Sequence, residues 1–194
     1  MLMMESVDLS MIAGETIRPM KRVEYESLTN QGYFEDEHVE LLFGMVVQMP
    51  PIDEGHVKAV GRVMERLILA LSGRAEVRIQ APYAASDWSE PEPDACVVPR
   101  NDDWKNHPDQ AFLVVEVARS SLRRDRGPKA RLYATANVDE YWIVDHVHER
   151  VEVFRDPHEG GWSTCTIHKR GEAISLLRFP DVSIAVNDVL PPQT

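Results

Sequence analysis

Apolar residues along this chain follow two patterns: short blocks rich in Val, Ile and aromatic residues, and longer stretches in which they recur every three or four positions. The clearest helix is predicted over 53–73, where Val57, Val60, Met64, Leu67, Ile68 and Leu71 repeat at helical steps, Asp53 can cap the start and Gly73 the end. A shorter helix is predicted from Met20 to Leu28, with Met20, Val23 and Leu28 apolar and a stop near Asn30 and Gly32. Between the two, HVELLFGMVVQM (38–49) reads as a hairpin or bulged strand pair broken at Gly44, with Glu40 expected to face solvent. Beyond the long helix come AEVRIQ, in which Val77 and Ile79 alternate with Arg78 and Gln80, and the strand PDACVVP, entered through Pro93. AFLVVEVA (111–118) is apolar enough to be buried on both faces of a sheet.

A further helix is predicted to begin between Arg124 and Pro128, because proline is tolerated only in a first turn, and to end at Ala136-Asn137. Asp125, Lys129 and Tyr133, four residues apart, then share one face. EYWIVD (140–145) is a second buried strand, and RVEVFRD and GWSTCTIHK flank the turn DPHEGG as an antiparallel hairpin. AISLLRF and the tail ending in LPPQT are expected to complete the sheet edge. The predicted class is mixed α/β.

Length and composition narrow the setting. A chain of 194 residues with 43% hydrophobic content can bury a full core as one domain, expected over 19–194 behind a flexible leader at 1–18. Cys96 and Cys165 are too few for a disulfide framework, so a reducing cytoplasm is the expected compartment. The Met-rich start carries Glu5 and Asp8 and lacks the pattern of a signal peptide, and no apolar run is long enough for a membrane partner. A formal net charge of −11 argues against a general polyanion-binding surface. Basic residues nonetheless concentrate in one window: Arg119, Arg123, Arg124, Arg126, Lys129 and Arg131 stand against Asp125 alone. That window reads either as a solvated helix face or as a phosphate-contacting segment.

The unusual residues are acids in apolar surroundings. Glu116 lies near the end of AFLVVEVA and Asp94 begins PDACVVP on a neighbouring strand end. Charged residues are buried only when paired or metal-bound, so Glu116 predicts either a salt bridge to an arginine just downstream or a cation shared with Asp94. Lys129 reads either as a surface lysine paired with Asp125 or as a long side chain pointing back to the strand ends. His56, in the first turn of the long helix, is solvated or reaches a neighbouring site. Tyr141 and Trp142 are expected in the core.

The order of these features, an early Glu40 and Gly44, His56, Pro93-Asp94, Glu116-Val117 followed by Ser120, then Asp125, Lys129 and Tyr133, then EYWIVD, resembles the Uma family of bacterial restriction-endonuclease-type proteins, within the PD-(D/E)XK nuclease-like superfamily. The likeness runs from about Met20 to Phe154. It implies a restriction-endonuclease-like core, a central mixed sheet flanked by helices, with a C-terminal antiparallel extension. It also implies a Mg2+-dependent endonuclease, Mn2+ being the other suitable ion, that hydrolyses phosphodiester bonds of DNA, and a homodimer suits cleavage of two strands. Asp94 and Glu116 would then be the metal ligands together with the Val117 backbone carbonyl, and Glu40 an additional catalytic acid. Ala118 occupies the place where the superfamily motif puts its lysine, and the family pattern moves that role to Lys129. His56, Gln80, Arg119, Arg123, Arg124 and Tyr133 are the candidate substrate contacts. The alternative is a catalytically inactive nuclease fold that serves in binding or assembly.

Overall fold

The computed structural model describes residues 14–192; of the expected leader at 1–18, residues 1–13 lie outside this range. A six-stranded sheet organises the chain, in the order β3 (Glu76–Ile79), β4 (Ala95–Val98), β5 (Leu113–Ala118), β6 (Glu140–Asp145), β7 (Arg150–His158), β8 (Gly161–Lys169). Only β5 and β6 run parallel, and every other pairing is antiparallel. The two parallel strands are buried at every position, as their unbroken apolar character requires. β1 (Val39–Leu42) and β2 (Met45–Gln48) form a separate hairpin. Gly44 supplies its turn at φ +77°, where a side chain would also run into Pro19.

One face of the large sheet packs against α2 (Glu54–Leu71). The helix buries Ala59, Val60, Val63, Leu67 and Leu71, each large aliphatic side chain contributing about 1.5–3 kcal/mol on full burial. Val57 and Ile68, expected on this stripe, lie off it and are exposed, because the face set by Val60, Val63, Leu67 and Leu71 leaves them on the flank. In α1 (Arg22–Asn30) the buried residue is Tyr25, while Val23 faces solvent. Trp142 joins the α2 layer, and Tyr141, Tyr133 and Ile143 form the core on the opposite face.

The C-terminal segment departs from its expected place. β9 (Ala173–Ser175) and β10 (Ser183–Ala185) pair only with each other, and β8 is the sheet edge. Ile174, Leu176, Val182 and Ile184 instead fold over the face that α2 covers, with Val186, Val189 and Leu190 in and beside α5 (Val186–Val189). Packing against the α2 layer takes this apolar set out of water. Among the described residues no helix is long and apolar enough to cross a membrane.

Candidate active site

The helix after β5 determines the site, and its shape is not the one expected. It starts at Leu122, earlier than predicted, and consists of α3 (Leu122–Arg124), a π-helical turn (Asp125–Lys129) and α4 (Ala130–Thr135). Pro128 therefore sits in the interior, where a regular α-turn would lose a hydrogen bond and clash with the preceding carbonyl. The wider turn resolves the conflict: the Ala130 N–H bonds back five residues to the Asp125 carbonyl, which also accepts from the Tyr141 hydroxyl at 3.1 Å. Asp125 and Lys129 both end up buried, each 1% exposed. Lys129 is thus not a surface lysine paired with Asp125.

Its ammonium lies between two acids. Lys129 Nζ donates to Glu116 Oε1 at 2.9 Å and stands 3.1 Å from Glu40 Oε2. Tyr133, also on this helix, donates to the same Glu116 Oε1 at 2.6 Å. Glu40, expected at the surface, is wholly buried. The reason is tertiary: β1 bridges to the chain at Glu90 through Leu41, which presses the strand against the segment leading into β4. There the Glu92 N–H donates to Glu40 Oε2 at 3.3 Å.

Asp94, one residue ahead of β4, ties three elements together. Its Oδ2 accepts the Val117 N–H of β5 at 2.8 Å, and its Oδ1 meets His56 Nε2 of α2 at 2.9 Å. His56 is held by the cap of its own helix, where Asp53 Oδ1 accepts the His56 N–H at 3.0 Å. Arg119 pairs with the other oxygen of Asp53. Gln80 follows β3 with φ +41° and sends its N–H to the Asp94 carbonyl at 3.3 Å.

Asp94, Glu116, Lys129, His56, Gln80, Val117, Arg119 and Arg124 all line one cavity of about 60 Å³, together with Glu92 and Ser121. It adjoins a broad cleft of about 920 Å³ between Gln48–Pro51 and Ser120–Pro128, into which Arg123 and Arg124 project. Glu40 lies behind the cavity wall and reaches it through Lys129. Tyr133 likewise touches the site only through Glu116.

The electrostatics follow from acids outnumbering bases. Burial, then the charges of Asp94, Asp125 and Glu40, push the Glu116 carboxyl up to about 8 against the pull of Lys129. Burial works to lower the Lys129 pKa, but the charges of Glu116 and Glu40 and the bond to Glu116 outweigh it, so the amine stays protonated well above its ordinary range. The hydrogen bond to Asp94 leads the causes that raise His56, and burial followed by Glu40 raises Glu92. Burial also raises Asp125, whose Oδ2 accepts from the Ser121 hydroxyl.

Two features went unread in the sequence. Glu92 and Ser121 face the cavity, and Glu92 had a legible signal in its position two residues before Asp94 on an extended chain. The basic window is mostly committed internally: Arg119 to Asp53, Arg124 toward Glu40, Arg126 to Asp145 and Glu152, Lys129 to Glu116. Among its members only Arg123 and Arg131 are exposed and outside any ion pair of the described residues.

Comparison with curated proteins gives no match. Among solved structures, a crystal structure titled a putative nuclease belonging to DUF820 from Anabaena variabilis ATCC 29413 matches with a TM-score of 0.70 at 14% identity, covering 88% of this chain and 97% of that one. At that identity the likeness establishes the fold, a mixed sheet flanked by helices. A family model described as "Putative restriction endonuclease" matches residues 22–187, which include every candidate site residue from Glu40 to Tyr133. The chain belongs to this family, Uma2.

Proposed function

We propose that the protein is a metal-dependent endonuclease that hydrolyses phosphodiester bonds of DNA, with Asp94 and Glu116 as the cation ligands. The observation that carries this reading is the surplus of carboxylate oxygen at the cavity. Both hydrogen bonds to Glu116 fall on Oε1 and none among the described residues falls on Oε2, while Glu40 Oε1, behind the wall, is buried without a hydrogen bond, with Arg124 Nη1 3.6 Å away. Acceptors in protein interiors are almost always satisfied, so a free carboxylate oxygen of Glu116, a residue that lines the cavity, favours an ion there. Oxygen-only donors suit Mg2+ or Mn2+. No three His, Cys, Asp or Glu side chains among the described residues are close enough to chelate an ion by themselves. Asp94, Glu116, the Val117 carbonyl and water would make up the set, as Mg2+ keeps several waters.

The bound cation would polarise the scissile phosphate and lower the pKa of an attacking water. The residues of the chain do the rest. Glu116, anchored through Oε1 by Lys129 and Tyr133, presents Oε2 to the cavity. Lys129 is too firmly protonated to be a base; it orients the water and neutralises charge developing on the phosphate. Glu40 holds Lys129 in place. His56 and the Val117 N–H fix the Asp94 carboxylate. Gln80, Arg119, Arg123 and Arg124 line the approach from the cleft and would contact the strand. A twofold homodimer acting in the cytoplasm would bring one such site to each strand of a duplex.

The test is cleavage of plasmid and oligonucleotide DNA with Mg2+ or Mn2+ by the wild type and by Asp94→Ala, Glu116→Ala and Lys129→Ala. Cation-dependent cleavage lost in all three variants is expected. Unchanged cleavage in all three would overturn the site, and no cleavage by any form would favour the binding-domain alternative.

A further inference from the structure

The hairpin beside the cleft has one strand inside the protein and one strand outside it. β1 is buried at every position, whereas Met45 and Val46 of β2 are 42% and 37% exposed. No strand among the described residues pairs with the outer edge of β2: β1 lies on its inner side and bridges in turn to Glu90. The sequence of β2 suits an interior, because Met45, Val46 and Val47 make both of its faces apolar. Exposed edge strands are normally guarded by a charge, a proline or a bulge, and Met45–Gln48 has none of these. Phe43 at the turn and Ile52 beyond the strand, both exposed, lengthen the apolar strip at its two ends.

The turn fixes which backbone groups remain to be bonded. Phe43 and Gly44 are its two residues, at φ +51° and +77°, and Leu42 and Met45 stand opposite each other across it. In such a turn the flanking pair is hydrogen-bonded, so by alternation Val46 directs its N–H and C=O away from β1. The two ends of the hairpin differ in charge. At the turn end Lys21 lies 5.6 Å over the Trp88 ring, and the Trp88 carbonyl accepts the Gly44 N–H at 2.6 Å. At the other end, where Val39 pairs with Gln48, the chain enters β1 through Glu35, Asp36 and Glu37. All four charged residues are exposed, and none enters an ion pair among the described residues.

We infer that the outer edge of β2 is the interface of a homodimer, in which β2 pairs antiparallel with β2 of a second copy about a twofold axis at Val46. Such pairing is isologous: it puts Val46 of one copy opposite Val46 of the other, Met45 opposite Val47, and the Lys21 end of each hairpin beside the acidic end of the other. An uncharged strand is also where two chains of net charge −11 approach with least repulsion. A second copy therefore suits the strand's backbone, its apolar faces and its end charges together. β2 leads into the cleft wall at Gln48–Pro51, so the two clefts lie on either side of the dyad, their walls beginning about 15 Å apart for a rise of about 3.4 Å per residue. This gives the homodimer of the proposed function its interface, and it does not depend on the cation or the chemistry of the cavity.

The test is sedimentation velocity of the 194-residue chain over a range of concentrations, with amide hydrogen exchange read at β2. The wild type should pass from monomer to dimer as concentration rises, and exchange at the Val46 amide should slow with it. Val46→Lys, checked for folding by near-ultraviolet circular dichroism, should weaken association at least about tenfold. Lys21→Glu should weaken it less, and adding Glu37→Lys to Lys21→Glu should recover part of that loss, since the two positions lie at opposite ends of one hairpin and meet only between copies. A wild type that stays monomeric, a dimer that Val46→Lys leaves intact, or a Val46 amide already protected in the monomer would overturn the interface; the last would mean that the chain's own residues cover the edge. Each of these outcomes leaves cation binding at Asp94 and Glu116 standing, because that is measured separately.

Discussion

Two clusters of buried acids lie within this fold, and they are solved differently. Around Asp145 and Glu152, at the β6–β7 end of the sheet, no carboxylate oxygen is left over. Asp145 Oδ1 accepts the N–H groups of Val147 and His148, its Oδ2 accepts from Arg126 and His148, and both Glu152 oxygens are bonded by Arg126. Glu140, at the other end of β6, is likewise closed by Trp142, Arg155 and the Leu177 N–H. Around Glu116, by contrast, acids outnumber cations, oxygen atoms of Glu40 and Asp125 have no hydrogen bond among the described residues and only Arg124 at 3.6 and 4.0 Å, and a cavity adjoins. Burial of a carboxylate therefore does not by itself mark a site, since Asp145 and Glu140 are as deeply buried as Glu116. Unspent acceptor capacity beside a cavity does.

The comparison can be broken by substitution. The largest effect is expected on catalysis: Asp94→Ala or Glu116→Ala should lower cation-dependent cleavage by roughly a thousandfold, whereas Asp145→Asn should leave the rate of the folded fraction near wild type. Next comes stability. Lys129→Met strands Glu116 without its cation and should cost about 3–5 kcal/mol in urea unfolding, whereas Arg126→Met should cost less, because Arg150 remains 2.9 Å from Glu152. In addition, a divalent cation should recover part of the loss in Lys129→Met and none in Arg126→Met.

The pH dependence comes next. Glu116 has its carboxyl raised from the ordinary 4.5 to about 8, so the folded state holds a proton that the unfolded state has released. Stability should fall as pH rises from about 4.5 to about 8, by at most about 1.4 kcal/mol per pH unit from this group, and level off above. A cation bound to Glu116 favours the ionised form, so stabilisation by Ca2+ should grow over the same interval, and Glu116→Gln should flatten both trends in thermal melts. The smallest effect is expected at the rim: Arg123→Ala should weaken duplex binding a few-fold and reduce its salt slope by about one.

Much of the fold was legible because local and global signals agree. Asp53 caps α2, Gly73 follows its last turn at φ +76°, and the apolar runs at β5 and β6 are buried at every position. Asp94 and Glu116 stood out by their setting, and the structure brings both to one cavity. What was not legible depends on contacts distant in sequence. Glu40 has the alternation of a half-exposed strand, and only the docking of β1 along Glu90 buries it. Pro128 argued for a later helix start, because nothing local announces that a π-turn will absorb it. The basic window counted charges without seeing that acids elsewhere in the chain, Asp53, Glu40, Glu116, Asp145 and Glu152, engage four of its six bases.

The most direct test of the central claim is a calorimetric titration of Mn2+ into wild type, Asp94→Ala, Glu116→Gln and Asp145→Asn at neutral pH. Saturable binding by wild type and Asp145→Asn that is lost in Asp94→Ala and Glu116→Gln is the predicted result. Absence of binding by the wild type, or binding that survives in both site variants, would contradict it.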